Sequence, residues 1–217
     1  MAGGHVPSLL ELMDRTTVKA VNALARMGTA PRPPRPCCWP PSTPRTPPPT
    51  WPPSAPCARR PAPPRSCPAE DAAESELLLQ ARRLSLTALE AVKGTTMIDD
   101  VCVPRSRLGE MLEGVERIAA AYDLTIGVCA HAGDGNTHPT VCFDARDPDE
   151  SRRARESFDE IMALGLELGG TITGEHGVGV LKKEWLAREI GPVGVEMQRA
   201  VKQVFDPLGI LNPGKLF

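Results

Sequence analysis

Residues 124–143 of the chain read LTIGVCAHAGDGNTHPTVCF, and this stretch decides the fold class. It begins with a continuous apolar run at 124–130, which is typical of a buried β-strand. A second apolar run at 139–143 predicts another short strand. The segment between the runs carries two glycines and an aspartate, residue types that are typical of turns. The stretch therefore predicts two neighbouring strands with His131 and His138 near the loop that joins them.

Predicted helices and further strands lie on both sides of this stretch. Ser8 with Glu11 three residues later forms a capping-box pattern, which predicts the start of the first helix. Apolar spacing and stop signals predict helices at 8–27, 69–92, 106–122, 149–168 and 182–204, the last broken at Gly191-Pro192. Two more strands are predicted at 97–103 and 171–173. This order predicts an α+β fold with a ferredoxin-like antiparallel sheet and helices on one face.

The overall composition argues against several classes of protein. The chain has 217 residues and a formal net charge of −2, which argues against a general nucleic-acid binder. No apolar run reaches the roughly 18 residues that a transmembrane segment needs. The seven cysteines show no zinc-ribbon or CxxC spacing, so free thiols in a reducing environment are expected. We therefore expect a cytoplasmic protein, with peripheral attachment to a membrane as the alternative.

Residues 31–68 differ in composition from the rest of the chain. They hold 17 of the 24 prolines and contain no Ile, Leu, Val, Met, Phe or Tyr. Such a segment cannot bury enough apolar surface to offset the entropy of ordering, so we expect it to be disordered. The chain then divides into residues 1–30, this Pro/Arg-rich segment, and residues 69–217.

Two short motifs carry the candidate chemistry. In HAGDGNTHP, His131 and His138 flank a glycine-rich loop, and neutral imidazoles are good ligands for Zn, Mn or Fe. The alternative is two surface histidines beside a turn. In TGEHGVG, Glu175 and His176 place a carboxylate beside an imidazole among glycines, which let a backbone approach a ligand closely. The alternative here is a plain strand-to-helix turn.

Five motifs in order resemble one known family. They are SLLELMDRTTVKAV, DVCVPRSRL, HAGDGNTHP, GEHGVGVLKKEWL and FDPLGILNPGKLF. Together they are similar to the C-terminal domain of FAD-linked oxidases of the glycolate oxidase and D-lactate dehydrogenase type, in the vanillyl-alcohol oxidase superfamily. The resemblance covers 1–30 and 69–217. It implies a cap over a separate FAD-binding domain, with a D-2-hydroxy acid such as glycolate or D-lactate between the two.

The resemblance also implies roles for individual residues. His131, His138 and Glu175 resemble the ligands of a divalent metal, Zn or Mn, that holds the substrate oxygens. His176 resembles the base that takes the hydroxyl proton while a hydride passes to FAD. Asn136 resembles a polar residue that contacts the substrate. Arg82, or its neighbour Arg83, resembles the arginine that pairs with the substrate carboxylate. Asn212 resembles a residue beside the flavin.

The chain departs from the family pattern in two places. In the family an FAD-binding domain of roughly 200 residues precedes the matched region, so the resemblance leads us to expect that this sequence is an incomplete enzyme that needs such a domain, with an electron-acceptor subunit as a further partner. Residues 31–68 match nothing in the family, and their composition is what GC-rich DNA gives when read out of frame. This favours two compensating frameshifts over a natural disordered insertion. The alternatives to an oxidoreductase fragment are an inert fragment and a metal-binding domain acting alone.

Overall fold

The structure, a computed structural model, describes residues 10–25 and 72–217. In these ranges the strands are β1 (Glu11–Met13), β2 (Thr95–Ile98), β3 (Val101–Cys102), β4 (Thr125–His131) and β5 (Asn136–Phe143). The helices are α1 (Arg15–Ala25), α2 (Ala72–Lys93), α3 (Leu108–Ala121), α4 (Pro148–Glu167) and α5 (Lys183–Phe205). Ser8, the predicted end of the first helix at 26–27 and the segment 31–68 lie outside the described residues. No helix in the described ranges is both long and apolar enough to span a bilayer.

The five strands form one antiparallel sheet in the order β1-β4-β5-β2, and β3 also pairs with β5. The long β4–β5 hairpin places His131 opposite Asn136 and Cys129 opposite His138. On the other side of β4, Glu11 lies opposite His131. The predicted α+β class with an antiparallel sheet is confirmed.

The helices cover both faces of this sheet, rather than one face as the sequence predicted. Ile126 and Val128 of β4 belong to the large core that α3 and α4 complete. Gly127, between them, faces the other way, where a Cβ atom would meet the side chains of Leu89 in α2 and Thr17 in α1. Because helices cover both faces, β5 is buried along its whole length. A strand buried in this way has side chains packed on both sides of the sheet.

The first predicted helix is wrong at its start. Residues Glu11–Met13 form β1, and α1 begins only at Arg15. Asp14 caps α1 by accepting a hydrogen bond from the N–H of Thr17 at 2.7 Å. Glu11, predicted as part of a capping box, instead turns its carboxylate toward His131. Pairing with β4 therefore overrides the local helical pattern.

Other predicted boundaries shift by a few residues. The strand predicted at 97–103 splits into β2 and β3, with Asp99 and Asp100 buried between them. The strand predicted at 171–173 is reduced to a single bridge between Thr171 and Cys102. The predicted break in the last helix is confirmed, because Gly191 interrupts α5 with a φ of 71°.

We expect Gly165→Ala to destabilise the fold, because α4 packs against the sheet through this glycine. A Cβ atom at Gly165 would lie 2.3 Å from Cγ1 of the fully buried Val101. Overpacking of this kind costs about 1–3 kcal/mol, more than the ~0.5–1 kcal/mol that alanine gains over glycine in a helix. Urea unfolding should show a net loss of stability.

Gly109→Ala in α3 is the matched control, since a Cβ atom there has no atom within 4 Å. We expect this variant to be as stable as the wild type or slightly more stable. Equal stability changes in the two variants would contradict the packing argument.

Candidate metal and active site

The β4–β5 hairpin brings two histidines to one face of the sheet. His131 ends β4, and His138 is the third residue of β5. Because successive side chains along a strand alternate between faces, the register puts both on the face covered by α1 and α2. Their rings meet edge to face with centroids 5.1 Å apart. The tight turn between them uses Gly135, whose φ is 92°.

Glu175 completes a group of three ligand-type side chains. Its Oε1 lies 3.3 Å from Nε2 of His131 and 3.1 Å from Nε2 of His138. One ligand atom from each residue lies within 4.8 Å of the others. The structure thus brings together the three residues that the resemblance implied as metal ligands.

A carboxylate lies behind each of the two imidazoles. Nδ1 of His131 is 2.6 Å from Oε1 of Glu11, and Nδ1 of His138 is 3.7 Å from Oδ1 of Asp100. Metal-binding histidines commonly direct one ring N–H toward a carboxylate, which leaves the other nitrogen free for the ion. Nδ1 of His138 is also buried without a hydrogen-bond partner among the described residues. Two imidazoles and one carboxylate, each imidazole backed by a further carboxylate, fit a divalent metal such as zinc.

The electrostatics keep the inner histidine neutral. Burial lowers the pKa of His138, and the neighbouring His131 lowers it further. Burial also lowers the pKa of His131, but the carboxylates of Glu11 and Glu175 outweigh that effect and raise it overall. A neutral imidazole is the form that binds metal.

Asp100 shapes the loop that carries Glu175. Its carboxylate accepts hydrogen bonds from the backbone N–H groups of Gly174 and His176, each at 2.8 Å, and from the Thr173 hydroxyl at 3.1 Å. Burial raises the pKa of Asp100, but these backbone hydrogen bonds outweigh it and bring the pKa to about 2. Asp100 therefore stays ionised and holds the loop against the sheet.

His176 lies on the open side of the group. The backbone bends at residues 174–176, so that Glu175 and His176 reach the same site although they are adjacent in sequence. Positive φ angles at Gly177 (82°) and Gly179 (56°) turn the chain after them. The His176 ring stacks on His138 with centroids 5.0 Å apart and is half exposed. Its ring nitrogens form no hydrogen bond with any described residue. A ring in this position can take a proton from a bound molecule.

A second grouping of ligand-type atoms overlaps the first. Asp100, His138 and His176 also offer atoms within 4.8 Å of one another. The Asp100 carboxylate already accepts several backbone N–H groups, which makes it a weaker candidate ligand than Glu175.

A buried ion pair supports the base of the site. Nζ of Lys182 lies 2.8 Å from Oδ1 of Asp99 and donates hydrogen bonds to the carbonyl oxygens of Asp100 and Ile172, at 2.7 and 2.6 Å. Burial raises the pKa of Asp99, and Lys182 opposes that shift. Asp99, Asp100 and Lys182 were not predicted as site residues, although two carboxylates inside the apolar run MIDDVCV are an unusual feature that could have indicated them.

The two adjacent arginines point to different surroundings. Nε of Arg82 donates to Oε2 of Glu11 at 2.8 Å, which places Arg82 beside the histidine group. Arg83 pairs with Glu76 on the surface. The structure therefore favours Arg82 over Arg83 as the arginine of the site.

The two asparagines also differ in position. Asn136 is buried beside Asp100 and contacts it through its side chain. Its Oδ1 has no hydrogen-bond partner among the described residues, and a Cβ atom at Gly174 would lie 2.5 Å from it. Asn212 lies in the exposed C-terminal turn with a φ of 46°, and no hydrogen bond joins it to the described histidine group.

Comparison with known proteins points to one family. The sequence profile described as "FAD linked oxidases, C-terminal domain" matches residues 64–216. The chain is 46% identical over 149 residues to "Glycolate oxidase subunit GlcD" of Bacillus subtilis, covering 69% of this chain and 32% of that protein. It is 39% identical over 147 residues to the subunit of the same name in Escherichia coli K12, covering 68% of this chain and 30% of that protein.

A plant relative carries a different name. The chain is 37% identical over 150 residues to "D-lactate dehydrogenase [cytochrome], mitochondrial" of Arabidopsis thaliana, covering 68% of this chain and 26% of that protein. The chain thus spans a third or less of the length of these relatives.

Proposed function

The chain belongs to the family of FAD linked oxidases, C-terminal domain, and on that premise we propose that it supplies the metal-binding and substrate-binding part of an FAD-dependent oxidoreductase. The proposed reaction converts a D-2-hydroxy acid, such as glycolate or D-lactate, to the 2-oxo acid. The names of the relatives support this substrate class. The observation that carries the proposal is the convergence of His131, His138 and Glu175 beside the free imidazole of His176.

Each polar group of the site has a proposed task. His131, His138 and Glu175 hold a divalent metal, which when bound lowers the pKa of a coordinated hydroxyl. His176 takes the proton of the substrate hydroxyl, because its ring is half exposed and its nitrogens form no hydrogen bond with a described residue, Oε1 of Glu175 lying 3.9 Å from Nε2. FAD supplies the acceptor for the hydride from the substrate α-carbon.

Two further residues are proposed to orient the substrate. Arg82 is proposed to bind the substrate carboxylate through Nη2, since its Nε donates to Glu11 and its Nη1 to Ser85. Nη2 of Arg82 has no partner among the described residues and is available for this contact. Asn136 offers its unpartnered Oδ1 from the floor of the site.

The proposed domain arrangement follows from the exposed parts of the chain. Residues 10–25 and 72–217 form one C-terminal domain, and a separate FAD-binding domain covers the open side of the histidine group. Asn212 is proposed to face the flavin, since the exposed turn around it also carries the exposed side chains of Leu208, Ile210 and Leu211. An electron-acceptor subunit and a cytoplasmic location complete the proposal.

We expect His138→Ala to abolish stoichiometric metal binding. His138 lies at the centre of the group, with Nε2 3.1 Å from Glu175, and its side chain is only 8% exposed. Removing it leaves one imidazole and one exposed carboxylate, too few protein ligands for a catalytic zinc site. The measurement is the zinc content of the chain after dialysis against buffered zinc.

His5→Ala is the matched control, because His5 lies in neither of the motifs HAGDGNTHP and TGEHGVG. It should keep the zinc content of the wild type. Circular dichroism checks that both variants are folded. Full zinc content in folded His138→Ala would show that His138 is not a ligand.

The oxidoreductase itself is tested by adding an FAD-binding domain of the family to the chain. We expect anaerobic bleaching of the flavin by glycolate or D-lactate, and none when Arg82 is replaced by methionine. Bleaching by neither acid in an assembly that binds flavin and metal would contradict the proposed reaction.

A further inference from the structure

One carboxylate joins two residues of the proposed site. Glu11 accepts a hydrogen bond from Nε of Arg82 on Oε2 at 2.8 Å, and its Oε1 lies 2.6 Å from Nδ1 of His131. The Glu11 side chain is 13% exposed, so water competes little with either contact. Hydrogen bonds to a charged carboxylate are short and among the stronger ones in proteins.

Glu11 lies far in the sequence from the other residues of the proposed site. Glu11 precedes the Pro-rich segment 31–68 and lies outside residues 64–216, which match the family profile. It reaches the site because β1 pairs with β4 in a register that sets Glu11 opposite His131. The short β1 strand thus adds a side chain to a site whose other members come from residues 82–176.

We propose that Glu11 is a positioning residue that holds His131 and Arg82 on its two oxygens. The inference rests on the proposed function, which makes His131 a metal ligand and Arg82 the partner of the substrate carboxylate. A carboxylate at Nδ1 keeps the proton on that nitrogen and directs Nε2 toward Glu175. The same carboxylate fixes Nε of Arg82, Ser85 accepts from Nη1, and Nη2 is left to face a substrate. One side chain therefore fixes the positions of both His131, the proposed metal ligand, and Arg82, the proposed partner of the substrate carboxylate.

Glu11→Gln separates this role from mere packing, because the amide keeps the shape of the side chain. An amide has one accepting oxygen, so it can accept a hydrogen bond from His131 or from Arg82, but not from both as the two carboxylate oxygens do. Loss of a carboxylate behind a metal-binding histidine typically weakens metal binding by about 10–100-fold. We therefore expect the zinc dissociation constant of Glu11→Gln to rise by about 10–100-fold. It is measured on the full chain by competition with a chromophoric chelator.

Glu76→Gln is the matched control, since Glu76 pairs with Arg83 on the surface. It should leave the zinc dissociation constant within about twofold of the wild-type value. The weaker zinc binding of Glu11→Gln should persist at temperatures well below its metal-free thermal midpoint, where the variant is fully folded, which a purely structural role would not give.

The outcomes separate this inference from the proposed function. Tight zinc binding by both the wild type and Glu11→Gln would overturn the role of Glu11 and leave the metal site standing. No zinc binding by the wild type would overturn the metal site and this inference with it.

If Glu11→Gln does not fold, nitrogen-15 spectra of histidine in the zinc-loaded wild type show which ring nitrogen of His131 binds zinc. Zinc on Nε2 of His131 with a proton on Nδ1 is the expected result. Zinc on Nδ1 would overturn the inference.

Discussion

Replacing His176 with alanine should leave the metal and the flavin bound, while flavin reduction slows by about 10²–10⁴-fold, the usual range for a lost general base. This corresponds to a barrier higher by about 3–5 kcal/mol. The reason is geometric: the His176 ring stacks on His138 at the open side of the site, whereas Glu175, not His176, lies within 3.3 Å of both other proposed ligands. His176 is thus placed to take a proton rather than to hold the metal.

The experiment is anaerobic single-turnover reduction of the flavin, with metal analysis of the same sample, in the chain assembled with an FAD-binding domain. Lys183→Met, a change in the first turn of α5, serves as a control and should reduce flavin at the wild-type rate. Near-normal reduction by His176→Ala would remove His176 as the base. Loss of metal would assign His176 to the overlapping group with Asp100 and His138.

Replacing Lys182 with methionine should lower the free energy of unfolding by about 3–5 kcal/mol, the usual cost of removing one partner of a buried ion pair. Methionine matches the length of lysine but donates no hydrogen bond. The variant would leave the Asp99 carboxylate buried without its cation and two carbonyl oxygens, those of Asp100 and Ile172, without their donor. Because Ile172 precedes the loop that carries Glu175 and Asp100 accepts hydrogen bonds from that loop, zinc binding should weaken as well.

Urea unfolding of the metal-free chain measures this effect. Lys183→Met again serves as the control and should change stability by less than about 0.5 kcal/mol. Adding Asp99→Asn to Lys182→Met should restore part of the loss, since the uncompensated charge is then gone. A loss below about 1 kcal/mol in Lys182→Met would show that the buried pair contributes little.

The proximity of His131 and His138 could be predicted from their spacing because it is local, whereas the grouping with Glu175, 44 positions from His131, was implied by the family resemblance. HAGDGNTHP forms a hairpin turn between two apolar strands, so the spacing of His131 and His138 already places both near one end of the sheet. The glycines around Glu175 indicated a bend, and the structure has one. The hairpin and the bend each depend on neighbours in sequence, which is the information that a motif carries.

The supporting residues could not be predicted in the same way. Glu11 reaches His131 across 120 positions, and Lys182 reaches Asp100 across 82. Such contacts depend on which strands pair and how the chain returns to the sheet. Glu11 even fits a helical pattern locally, and only pairing with β4 makes it part of a strand.

The sequence also contains a feature that indicates helices on both faces of the sheet. A continuous apolar strand such as 124–130 is typical of a sheet that is covered on both faces. The structure agrees, because α1 and α2 pack on one face and α3 and α4 on the other. A layer of helices on a single face would have left alternate residues of β4 and β5 exposed.

The most direct test of the proposed site is an anomalous difference map from crystals of the full chain grown with zinc. We expect one strong peak about 2.0–2.2 Å from Nε2 of His131, Nε2 of His138 and a carboxylate oxygen of Glu175, at the usual zinc–ligand distances. No peak among these three side chains, or a peak held by Asp100 and His176 instead, would contradict the account.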